Sequence, residues 1–170
     1  DVDYPAMRIA LVQQHATLDT AANLARGLAA FESAARAGAA VVGFAELAFE
    51  PFHPQHPAGG SDVRALAEPI DGPIVSAFRD RARALGVVAV LNFLERDGDR
   101  TFDTSPVIDA DGRLLGVTRM VHITDYACFH EQGYYAAGDR GAPVYETRAG
   151  RIGVAICYDR HFPEYMRAQA

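Results

Sequence analysis

Gly153-Val154-Ala155-Ile156-Cys157-Tyr158-Asp159-Arg160-His161-Phe162-Pro163-Glu164 is the stretch whose reading decides the fold. Its first four residues, small or apolar, read as a short buried strand that stops abruptly on a thiol. Charged and aromatic residues follow at once, and Pro163 suits the first turn of a helix. Cys157 is therefore expected on a strand-to-helix turn, where outward backbone N–H groups and a helix N-terminus favour a thiolate. Such a turn presents a nucleophile and lays out part of an oxyanion site beside it. Taken alone, the thiol is more simply a small buried hydrophobe. The rest of the chain has to decide.

Working outward, Val144 to Thr147 and Arg151 to Ile156 flank Ala149-Gly150 and predict a hairpin leading into that turn. Further upstream, Thr104 to Asp109 and Arg113 to Arg119 flank Ala110-Asp111-Gly112, a second hairpin turning at Asp-Gly. The N-terminal half reads differently. Arg8 to Gln13, Ala39 to Phe44 and Val87 to Leu94 are short apolar strands. Between them lie helices over Thr20 to Ala37, with Leu24, Leu28, Phe31 and Ala35 on one face, and from Pro73 to Gly86, with Val75, Phe78, Ala82 and Leu85 inward. Units of β-α-β-α-β followed by hairpins define an α/β fold with a mixed sheet and helices on at least one face. Two polar loops, 47–72 and 122–141, are long enough to be functional.

Composition narrows the class. A chain of 170 residues, 49% apolar and 22% charged, is expected to form one globular domain with a sizeable core. A net charge of -6 without any basic run argues against nucleic acid as a partner. No apolar run approaches the roughly 20 residues of a membrane span, and Asp1-Val2-Asp3-Tyr4-Pro5 does not read as a signal peptide. Cys128 and Cys157 make neither a disulfide framework nor a zinc spacing, which points to a reducing cytoplasm. His53, His56 and His130 lack metal-ligand spacing, and Gly59-Gly60 is a turn rather than a nucleotide fingerprint, so no metal and no cofactor are expected. All 16 basic residues are Arg. Any mechanism that needs a lysine must find a substitute.

The turn at Cys157 resembles the cysteine elbow of the nitrilase superfamily, the carbon–nitrogen hydrolases, whose members carry a Glu–Lys–Cys triad. The likeness extends along the chain. Phe44-Ala45-Glu46-Leu47 is similar to the family's F-P-E-L segment and puts Glu46, just past a buried strand, at the general-base position. Phe129 to Asp139 is similar to its E-K-x-Y-F-x-P-G-D loop, most closely in Glu131, Tyr134, Gly138 and Asp139, which implies a positioning role for Glu131 and a substrate-side place for Tyr134. The family's Y-R-K-x-H segment reads Thr118-Arg119-Met120-Val121-His122 here. Met120 thus stands in the lysine position. Arg119 is expected to point to the opposite face of its strand, leaving His122 as the nearest substitute for the missing charge. Branches that act on N-carbamoyl compounds have an arginine at the place of Arg160, where its forked guanidinium meets a substrate carboxylate.

What the resemblance implies is an αββα sandwich, mixed sheets with flanking helices, stacked into a homodimer or higher homo-oligomer. Residues 1–170 would be the N-terminal portion of a longer single domain. The implied activity is cleavage of a non-peptide carbon–nitrogen bond in a small linear amide or N-carbamoyl compound. Cys157 would be the nucleophile, Glu46 the base, and the backbone N–H of Tyr158 the oxyanion donor. A nitrile substrate is the less favoured form. With methionine in place of the lysine, the alternatives are an impaired or inactive member serving in binding or assembly, or a chain altered there to trap a substrate complex.

Overall fold

The computed structural model describes residues 7–170; the stretch Asp1 to Pro5, read above as no signal peptide, lies outside them. Strand β1 (Ile9–Val12) is followed by helix α1 (Thr20–Arg36), β2 (Val41–Phe44), α2 (Pro73–Leu85) and β3 (Val88–Val90). β1, β2 and β3 run parallel, as strands joined through helices must. Then come β4 (Phe93–Asp97), β5 (Arg100–Ile108) and β6 (Leu114–Arg119), and β5 pairs antiparallel with β3 and β4 along one edge and with β6 along the other. A separate hairpin of β7 (Val144–Thr147) and β8 (Gly150–Gly153) precedes α3 (Pro163–Ala168).

Three expectations about strands are corrected. The apolar run from Val87 to Leu94 is not one strand: it breaks at Leu91-Asn92 into β3 and β4, because the Asn92 side chain is buried in hydrogen bonds of its own. β4 and β5 then form a hairpin around Gly98, and β5 begins at Arg100 rather than at Thr104. The strand leading to the thiol is also shorter than expected. Only Gly150–Gly153 pair with β7, and Val154 to Ile156 run on outside the ladder.

Helices α1 and α2 cover one face of the sheet. Phe31, Phe49, Phe78, Val42, Ala89, Phe93 and Ile108 are buried together there, and Phe31, Phe44 and Phe49 meet Phe78 edge-on at 5.1–5.6 Å. Each fully buried side chain of this size contributes roughly 1.5–3 kcal/mol. Leu85, expected inward, lies at the end of α2 and is exposed. Gly86 ends that helix in the left-handed conformation at φ 68°, which a residue without Cβ adopts freely. The β7–β8 hairpin lies on the other face, where Tyr145 and Ile152 cover Val41, Val88 and Val107. This second face, at the ends of β2, β4 and β6, is where the loops 45–50, 121–135 and 154–162 converge.

Candidate active site

Glu46 follows β2 by two residues, and the chain turns sharply after it. Leu47 has φ 47°, a left-handed conformation that costs a non-glycine residue energy unless its surroundings hold it. Asn92 supplies that hold. Its Oδ1 accepts from the Leu47 N–H at 2.6 Å and its backbone carbonyl accepts from Ala48. Glu50, one turn on, accepts the Leu94 N–H at 2.7 Å and fixes the start of the long loop to β4.

Cys157 opens a short 3-10 helix, Cys157–His161, and is itself left-handed at φ 45°. The expected elbow is present, though approached by unpaired chain. The N–H of Tyr158, second in that helix, is among the groups a helix start leaves without an internal acceptor. Asp159 anchors the turn from beneath. It is fully buried and accepts from the N–H groups of Val121 and His122, at 3.1 and 2.9 Å. Among the described residues three non-glycines have positive φ: Leu47, Cys157 and Cys128. The third lines a cleft of about 430 Å³ with Glu46, Phe52, Gln55 and Phe129. Backbone strain is thus concentrated at one place. A cleft of about 770 Å³ along β6, lined by Arg96, Arg119 and Tyr145 among others, includes none of Glu46, Glu131 and Cys157.

Glu131 comes from a single 3-10 turn in the second loop and is fully buried, its Oε2 accepting the Thr124 N–H at 3.1 Å. One carboxylate oxygen of Glu46, one of Glu131 and the Cys157 sulfur all lie within 4.8 Å of one another. Asp103, 1% exposed, adjoins them from β5, with Asn92 donating to its Oδ1 at 2.6 Å. Burial, together with Glu46 beside it, pushes the Asp103 carboxyl well above the usual carboxylate range. Burial likewise raises Glu131. The Cys157 thiol is pushed up by burial first and then by Glu46, Glu131 and Asp103, all of them acids. The expectation that this turn favours a thiolate is thereby corrected, because burial and the surrounding acids disfavour the charged sulfur.

Met120 is 1% exposed and shares an apolar cluster with Leu47, Leu94, Tyr134, Tyr135 and Ile156, against which Cys157 also packs. Its backbone N–H donates to the Asp103 backbone carbonyl at 3.0 Å, which sets the row Leu94, Asp103, Met120 across neighbouring strands on one face. Arg119 points to the other face, as alternation requires, and meets Glu95 and Asp97 at 2.7 Å and Asp139 at 2.9 Å. Gly138 lies so close beneath this strand that a Cβ would overlap the Arg119 carbonyl, and its N–H donates to Met120 at 2.8 Å.

His122 does not take up the missing charge beside the thiol. Its Nδ1 lies 2.6 Å from Asp159, and its ring stacks on Phe162 at 3.5 Å. Tyr134 is buried in the Met120 cluster and stacks toward His53 rather than lining open space. Arg160 is exposed and makes no ion pair among the described residues. Sequence reasoning missed Asp103, Asn92 and Asp159. Asn92, a polar residue inside an apolar run, was the one legible signal.

The sequence profile of the carbon–nitrogen hydrolases matches residues 8–170, and the chain belongs to that family. It is 33% identical over 165 residues to a citrullinase of Francisella tularensis, covering 96% of this chain and 57% of that protein. It is 34% identical over 163 residues to an N-carbamoylputrescine amidase of Solanum lycopersicum, covering 95% and 54%. Among solved structures, an amidase mutant from Nesterenkonia sp. AN1 superposes with a TM-score of 0.78 at 25% identity, covering 96% of this chain and 60% of that one. That mutant carries the acetamide moiety of fluoroacetamide, covalently added at its active-site cysteine. The chain spans about half the length of the curated relatives it matches.

Proposed function

We propose that the protein hydrolyses a non-peptide carbon–nitrogen bond in a small linear amide or N-carbamoyl compound through an acyl-enzyme on Cys157. The observation that carries the reading is the convergence of Glu46 and Cys157, with Glu131, to within 4.8 Å at one end of the sheet. Glu46 takes the thiol proton as sulfur attacks the carbonyl carbon, and the Tyr158 N–H faces the developing oxyanion. The C–N bond then breaks, and the nitrogen leaves with the proton held on Glu46. Water next gives a proton to Glu46 while its oxygen attacks the thioester. The S–C bond breaks and the sulfur recovers that proton. Supporting the substrate class are the family and the names of the relatives above, together with Arg160, a free guanidinium at the turn that could meet a substrate carboxylate.

A second reading, a catalytically impaired member kept for binding or assembly, is favoured by one specific observation. Met120 fills the lysine position with a buried thioether, and the charged groups acting on the thiol are acids. Ammonia release from a panel of amides and N-carbamoyl amines separates the two. Turnover by the protein that is lost in Cys157→Ser supports the hydrolase. No release from any member of the panel supports the second reading.

A further inference from the structure

We propose that Glu46, Glu131 and Cys157 form a binding site for a thiophilic divalent cation of the zinc class. The three donors come from segments far apart in the chain, so no spacing in the sequence announces them. Zinc takes thiolate sulfur at about 2.3 Å and carboxylate oxygen at about 2.0–2.2 Å, which places such donors roughly 3.5 Å apart around one ion. From a spacing within 4.8 Å, that is a closing movement on the order of 1 Å.

The acids are not merely clustered; they have unused lone pairs in a buried place. Glu131 is fully buried, and while its Oε2 accepts from Thr124, its Oε1 has no partner. Glu46 Oε1 and Asp103 Oδ2 are buried as well, and the groups within reach of them are each other and the Cys157 thiol rather than a cation. Buried carboxylate oxygens without donors are costly, and the neighbouring cations are committed elsewhere. Arg119 is turned to the opposite face among three acids, and His122 is held by Asp159. Methionine at position 120 supplies no charge. The cleft lined by Glu46, Phe52, Gln55, Cys128 and Phe129 gives an ion a route to the group. On binding, the thiol proton is released to solvent as the S–metal bond forms, while the carboxylates donate lone pairs. A cation seated there occupies the nucleophile and blocks acyl transfer, so this inference uses the same side chains as the proposed hydrolase without depending on hydrolysis.

The test uses the full-length protein in a Cys128→Ser background, which removes the exposed thiol. Zinc affinity is read by competition with a chromophoric chelator, and cobalt by the thiolate charge-transfer band in the near ultraviolet. One zinc per chain is expected, with the cobalt band present and Cys157 protected from alkylation. Cys157→Ser should abolish the band and weaken zinc by more than the ~10–100-fold that loss of an outer-sphere partner costs. Glu131→Gln should weaken it comparably, and circular dichroism checks that both variants are folded. Met120→Lys, which puts a fixed ammonium in the same space, should weaken zinc at least about 10-fold. Absence of saturable binding overturns the proposal, as does zinc affinity unchanged by Cys157→Ser, Glu131→Gln or Met120→Lys. A protein that binds zinc but, once stripped of metal by chelator, hydrolyses nothing sinks only the proposed function, and one that hydrolyses amides but binds no zinc sinks only this site.

Discussion

On one face of β6, Arg119 sits among Glu95, Asp97 and Asp139 with its guanidinium over the Phe102 ring at 3.9 Å. One residue along, on the other face, Met120 packs beside the turns that carry Glu46 and Cys157, with Asp103 and Glu131 close by. Both regions gather acids, though in the first only Glu95 is buried while Asp97 and Asp139 reach solvent. The first neutralises them with a cation held by several hydrogen bonds, which is the condition under which a buried charge is tolerated. The second has no cation among the described residues, and the Asp103 and Glu131 carboxyls and the Cys157 thiol are all shifted upward, by burial first and also by neighbouring acids. The difference between structural and reactive polarity here is one side chain on an alternating strand.

The comparison can be broken most severely from the satisfied side. Arg119→Met leaves Glu95, 2% exposed, as an uncompensated buried charge, and should cost about 3–5 kcal/mol in urea unfolding. An effect near zero would mean that the network contributes nothing. From the other side, Met120→Lys should restore the missing charge and raise amide turnover by ~10²–10³, the amount one oxyanion-stabilising donor typically contributes. Unchanged turnover would remove Met120 from the account.

A smaller effect concerns stability and pH. A carboxyl raised in the folded state contributes stability that is full below its unfolded value, near 4, and is lost as pH rises through the folded value. Asp103 and Glu131 are therefore expected to make the protein less stable at about pH 8 than at about pH 5. Asp103→Asn keeps a hydrogen-bonding side chain without the ionisation. It should raise stability at about pH 8 by roughly 1–3 kcal/mol and flatten the pH profile, as thermal melts across that range would record. The smallest change is in thiol chemistry. Alkylation of Cys157 should be slow at neutral pH and accelerate into the alkaline range, and Met120→Lys should move that rise to lower pH.

Much of this architecture was legible in the sequence because each element carried its own signal. Apolar runs, Pro73 and Gly86 at the ends of α2, and Asp-Gly at the β5–β6 turn all specify local structure. The elbow at Cys157 was legible as a place, and Glu46 and Glu131 came through the family's motifs. Their mutual approach was not, since nothing in spacing reports where three loops meet. Asn92 shows the other limit. An apolar run around one polar residue reads as a strand, but its buried amide clamps Leu47 and Asp103 and breaks that strand in two. Asp103 was missed for a related reason: with β5 read as starting at Thr104, the residue fell outside any assigned element rather than on the site-facing side of a strand. His122 failed as a substitute because its partner, Asp159, is buried under a turn that sequence alone leaves undrawn.

The account rests on Cys157 acting as a nucleophile in a pocket of acids. The most direct measurement is intact-mass spectrometry with peptide mapping after mixing the protein with fluoroacetamide, run beside Met120→Lys. The account predicts a covalent adduct on Cys157 in both, forming faster in the lysine variant and absent from Cys157→Ser. No adduct on Cys157 in either protein, or one confined to the exposed Cys128, would contradict it.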